Sequence, residues 1–230
     1  MRHGAARGFT LVEIAIVLVI IGLLLGGILK SHELITGARV HRLISQQEGI
    51  RAAFFAFQDR FGALPGDYAQ ALATIAGVTQ NGNGSGRVES ATVPNEAVLA
   101  WEHLSRAGLL TRTYTYGATE STATSPANPY GIYLQLVFDG MYGPGTTAAP
   151  SPLRHNLKTG SRIPVDIIVE VDRKIDDGLP YGGQFQFSAY QGNAPAAPAA
   201  ANCVIAASGG NPASWRVTSG ESNCGAASTL

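Results

Sequence analysis

The sequence predicts an α+β protein: a long N-terminal helical spine, its first half transmembrane, packed on a C-terminal globular domain with an antiparallel β-sheet. Three observations predict it. A predominantly apolar run occupies Phe9–Leu29. No proline occurs between Met1 and Leu64, and an amphipathic pattern with helical period follows the apolar run. Beyond Pro65 the chain turns to short apolar, β-branched or aromatic stretches separated by Gly- and Pro-containing breakers. At 230 residues there is room for one globular domain plus an extra element, or two small domains at most.

Composition narrows the functional classes. Charged residues are only 14%, against roughly 25% in a typical soluble domain. Lys plus Arg and Asp plus Glu are 16 each, so the net charge is zero, which argues against a basic nucleic-acid binder and an acidic disordered tail. Two cysteines are too few for a disulfide-rich miniprotein or a four-cysteine zinc site.

The N-terminal segment opens with MRHGAARG, basic at Arg2 and Arg7 and free of acids. The apolar run that follows is polar only at Thr10 and Glu13, and as a helix it spans about 31 Å, the thickness of a bilayer core. The flanking positive charge predicts a cytoplasmic N terminus and a translocated C-terminal part. A cleaved secretory signal is a poor fit, because the run ends in Gly-Gly-Ile-Leu-Lys-Ser-His instead of an A-x-A-like site. A plain anchor accounts for the hydrophobicity but leaves Glu13 unexplained, since a carboxylate in a spanning helix costs a few kcal/mol and usually has a partner.

The helix continues. Val40, Leu43, Ile44, Gln47, Ile50, Phe54, Phe57 and Phe61 form one face, with Arg39, Arg42, Gln46 and Gln58 off it. The spine is expected from about Thr10 to Arg60, ended by Gly62 and the Leu64-Pro65-Gly66 turn. Asp67 is expected to cap a short helix reaching about Ala76, residues 77–92 to form a loop, and Asn95 to cap a helix ending at Gly108. Strands are expected at Tyr130–Phe138, Ile163–Val171, Gln184–Tyr190 and, more weakly, Ser214–Thr218, with IDDGLPYGG as a hairpin connection between the second and third.

Gly8-Phe9-Thr10-Leu11-Val12-Glu13, followed by the apolar run, resembles the cleavage and methylation motif of type IV pilins and type II secretion pseudopilins. The Ala63–Tyr68 and Val171–Gly178 stretches look like segments of a subset of pilin-like proteins. The resemblance implies a leader over residues 1–8 and a transmembrane, polymerising half-helix over 9–29. It implies an amphipathic half over 30–62 and a periplasmic globular α+β domain over 63–230. It implies cleavage after Gly8 by prepilin peptidase, N-methylation of Phe9, and pairing of Glu13 with the Phe9 ammonium of a neighbouring subunit. The implied partners are copies of this chain or other pilins, and an inner-membrane assembly platform. The implied location is the bacterial inner membrane, single-pass, and then a pilus or pseudopilus; the resemblance leaves these two open. Many pilins carry a proline near position 30; this chain has Lys30, with Gly22, Gly26 and Gly27 as helix-weakening positions.

Pilins often close a C-terminal loop with a disulfide, which implies a Cys203–Cys224 bridge in an oxidising periplasm; two free thiols are the other reading. Asn81, Asn83 and Ser85 echo the start of a calcium loop, but Thr92 stands where a glutamate is expected, and neutral ligands bind calcium poorly. Asp176 and Asp177 are carboxylates that could join a metal site, or an ordinary Asp-Gly turn. No other cofactor is suggested. No enzyme constellation stands out: His103 and His155 are isolated, and H-E-x-x-H, G-x-S-x-G and P-loop patterns are missing. A DNA-uptake pilin-like protein is the alternative, and a membrane-anchored periplasmic protein with another binding role a weaker one. Loss of Arg2 and Arg7 with the leader takes the basic residues from 16 to 14 against 16 acids, a net charge of −2 that opposes nucleic-acid binding.

Overall fold

A computed structural model of the chain describes residues 10–230, and the architecture is α+β. The chain divides into two compact units, Met1–Arg39 and Val40–Leu230. Helix α1 (Leu11–Phe61) contributes to both and is unbroken through Gly22, Gly26, Gly27 and Lys30. In the first unit α1 contains an 18-residue window of mean hydropathy 2.8, none of it buried, so it is long and apolar enough to cross a membrane.

In the second unit the apolar stripe of α1 is the wall of the core. Val40, Leu43, Gln47, Ile50, Phe54 and Phe57 are buried, and Ile44 and Phe61 are partly so. Each fully buried large apolar side chain stabilises the fold by about 1.5–3 kcal/mol. Phe54 and Phe57 pack with Ala71 of α2 (Ala71–Thr74) and with Trp101 and Leu104 of α3 (Glu96–Arg106). The same cluster takes Leu136 of β1 (Gln135–Asp139) and Leu157 of β2 (Arg154–Lys158). A second cluster gathers Val40 and Leu43 with α4 (Val165–Ile175), β3 (Phe185–Phe187), Cys203 at the end of α5 (Ala200–Cys203), and the small ribbon β4 (Val204–Ile205) and β5 (Ser214–Trp215).

The main sheet is antiparallel with order β1-β2-β6-β3, where β6 is Ala226–Thr229. Its register pairs Gln135 with Lys158, Lys158 with Ala227, and Ala227 with Gln186. The C-terminal strand therefore sits inside the sheet, between β2 and β3. β4 and β5 pair with each other only, in a separate sheet.

Several expectations need correction. The apolar stretch Ile163–Val171 is helical from Val165, not a strand. Pro164 occupies the N-cap, Asp166 lies in the first turn, and Arg173 and Lys174 lie in the last, as the helix dipole favours. Val165, Ile168, Val169 and Asp172 make its buried face, with Ile167 and Val171 buried beside them. Consequently IDDGLPYGG joins α4 to β3 and is not a hairpin turn. Asp67 caps no helix, since α2 starts only after Gln70. Its buried carboxylate instead accepts the Ser85 N–H at 2.7 Å and the Gly86 N–H at 2.9 Å. Asn95 occupies the N-cap of α3 without a side-chain bond to it. Of the Tyr130–Phe138 stretch only the end is strand, and Ser214–Thr218 gives β5 followed by the 3-10 turn Val217–Ser219.

Candidate functional site

The first turn of α1 carries the one acid of the apolar segment. The Thr10 N–H and Oγ1–H both donate to Glu13 Oε2 at 2.9 Å, and the Glu13 N–H donates back to Thr10 Oγ1 at 3.2 Å. This is a reciprocal capping box, which satisfies backbone donors that a helix start leaves open. The T-x-x-E spacing of Thr10 and Glu13 is the sequence signal that announces it. Gly8 and Phe9 lie outside the described residues. On both sides of Glu13 the helix presents apolar side chains to its surroundings: Leu11, Leu18 and Leu23 are 91%, 64% and 73% exposed. An apolar surface of this extent marks a membrane or a protein partner. Beyond it, Lys30 and Glu33 form an exposed ion pair at 2.7 Å.

A second group of functional-looking side chains lies on α3, and sequence reasoning missed it. Glu96, Glu102 and His103 are fully buried. Glu96 accepts the Asn83 and Glu89 N–H groups at 2.9 and 3.0 Å; Glu102 accepts Thr79 and Tyr116 N–H groups at 3.0 and 3.1 Å. His103 Nδ1 accepts the Gly66 N–H at 3.0 Å, and Nε2 faces the Gln80 carbonyl at 3.1 Å. Such a His is neutral with its proton on Nε2. Burial raises the Glu96 carboxyl, against the opposing Asn83 and Glu89 amides, and burial lowers His103. These groups pin the Gly- and Asn-rich segment 66–92 to α3. Gly66 itself is at φ +90° with the α3 backbone against it, so no side chain fits there.

The calcium-loop candidates serve the same loop. Asn81 Oδ1 accepts the Leu72 N–H, Asn83 Oδ1 accepts the Ser85 N–H, and the Ser85 hydroxyl lies against Asp67 and the Arg87 carbonyl. The structure does not bring them together with Asp176 and Asp177. Those two meet a residue the sequence did not suggest: Asp172, on the buried face of α4. One carboxylate oxygen from each of Asp172, Asp176 and Asp177 lies within 4.8 Å of the others.

Cys203 and Cys224 form a disulfide. In the main sheet, buried Lys158 pairs with Asp139, and burial lowers its pKa while Asp139 works against that shift. Tyr190 donates its hydroxyl proton to Glu120. These groups are spent on one another, an arrangement that fixes packing.

Residues 4–29 match the prokaryotic N-terminal methylation motif, the signature of type IV pilins and pseudopilins. No curated protein and no solved structure matches the chain. The chain is thus type IV pilin-like in its N-terminal segment, and the motif points to a structural protein.

Proposed function

We propose that this chain is a structural subunit of a type IV pilus or a type II secretion pseudopilus. Prepilin peptidase cuts after Gly8, Phe9 becomes the N-methylated N terminus, and the apolar half of α1 first anchors the subunit in the inner membrane and then packs it into a filament. One observation carries the reading: the methylation motif coincides with an unburied apolar helix that has a single acid, Glu13, in its first turn. Cleavage leaves an ammonium at Phe9. Burying either charge alone is costly, whereas a close pair is tolerated and specifies register. Glu13 of one subunit facing the Phe9 ammonium of the next meets that requirement.

Glu13 also caps its own helix, so two substitutions separate the roles. Glu13→Gln keeps a side-chain oxygen for the Thr10 N–H but has no charge. Glu13→Leu loses both cap and charge. Insertion and leader cleavage are expected to continue in each, because removing a charge eases insertion. The yield of sheared filaments, measured beside the membrane-bound pool, is expected to collapse in both. Normal filaments from Glu13→Gln with none from Glu13→Leu would assign Glu13 to capping and overturn the charge pairing.

A further inference from the structure

We propose that the end of α4 and the turn after it form a calcium site built from the carboxylates of Asp172, Asp176 and Asp177. Asp172 is fully buried. Its Oδ2 accepts the Trp215 indole N–H at 2.6 Å, but its Oδ1, also buried, has no hydrogen-bond partner. An orphaned buried carboxylate oxygen is costly unless something positive reaches it. None of the three ion pairs among the described residues involves this trio.

The neighbouring acids are held so that each keeps an oxygen free of hydrogen bonds. Asp176 Oδ2 accepts the Gln184 N–H and, at 2.7 Å, the Phe185 N–H; Asp177 Oδ1 accepts the Leu179 N–H at 2.8 Å. Among the described residues, no hydrogen bond reaches Asp176 Oδ1 or Asp177 Oδ2. Gly182 and Gly183 lie against these carboxylates so closely that a Cβ at either position would strike one of them.

Three negative oxygens so close together repel unless a cation is shared between them. Oxygen-only donors select a hard divalent ion. Calcium takes several carboxylates from one chain in flexible geometry, whereas magnesium dehydrates reluctantly and usually keeps several of its waters, so three clustered carboxylates favour calcium. Besides the Trp215 indole, the Gly178 backbone N–H lies close enough to the Asp172 carboxylate to favour its charged form. Bound calcium would tie α4 to the 176–185 segment and, through Trp215, to β5.

The test uses the full chain in detergent, stripped with EGTA and titrated with calcium chloride or magnesium chloride, with thermal unfolding and calorimetric heats as readouts. Calcium at a hundredfold excess over its Kd is expected to raise Tm by roughly 5–10 °C. Magnesium at the same concentration is expected to do much less. Asp177→Asn changes an exposed side chain, so the fold is retained, and calcium affinity is expected to fall about tenfold or more. Asp172→Asn, which keeps the shape and an acceptor for Trp215, is expected to abolish binding. An unchanged Tm and no heat on adding millimolar calcium to the folded wild-type chain would overturn the site, and so would an undiminished response in Asp177→Asn. A response to magnesium with none to calcium would overturn the choice of ion.

Discussion

His103 shows how a single side chain organises a loop that has little secondary structure. It can accept from Gly66 and donate to Gln80 only while neutral, and burial keeps it so by depressing its pKa below the usual 6.5. A depressed folded-state pKa contributes stability that is present above about pH 6.5 and lost as pH falls toward the folded value, because the unfolded chain takes the proton first. The Glu96 and Asp172 carboxyls are shifted upward and act in the opposite sense: they bind protons more readily in the folded state, so their effect on stability weakens as pH rises. His103→Gln is therefore compared with the parent chain by urea unfolding at pH 7.5 and 5.5. The carboxyl effects are common to both proteins. The parent is expected to lose more stability on acidification than the variant, and an equal loss in both would remove His103 from the account.

At the scale of elements, what was legible depended on how far apart the determining residues lie. The spine was readable because its signal is local: a proline-free stretch, an apolar run, then a stripe from Val40 to Phe57 that the fold buries as one face. α4 was misread because Ile163, Val165, Ile167, Ile168, Val169 and Val171 are all buried, which erases the helical period. Pro164, Asp166 and the Arg173-Lys174 pair marked the helix ends and were outweighed by β-branched content. That misreading also hid Asp172, which sits on the buried face of α4. β2 and β6 were invisible for a different reason. RHNLK is polar and AAST is small, yet both become interior strands through pairing with each other and with distant segments. The disulfide is the covalent element of the C-terminal region, joining positions 21 residues apart. In the chain-entropy model, closing such a loop contributes about 3 kcal/mol. The Cys203→Ser/Cys224→Ser double variant is expected to unfold at correspondingly lower urea, and reduction of the parent should reproduce it. An unchanged midpoint would show that the bridge does not constrain the unfolded chain.

The whole molecule divides its work between its two units. Val40–Leu230 buries its large apolar side chains in two clusters, holds polar loops with buried carboxylates, and closes its C-terminal segment covalently. Among the described residues, Met1–Arg39 has a long apolar helical surface and no buried core, and the methylation motif over residues 4–29 runs into that helix. Such a surface is expensive in water and useful in a bilayer or among identical helices. The proposed function requires maturation of that segment, and mass spectrometry of the N-terminal peptide from protein isolated from its native host tests it most directly. The predicted result is a mature chain beginning at Phe9 with an added N-methyl group; an intact Met1, or a start near residue 30, would contradict it.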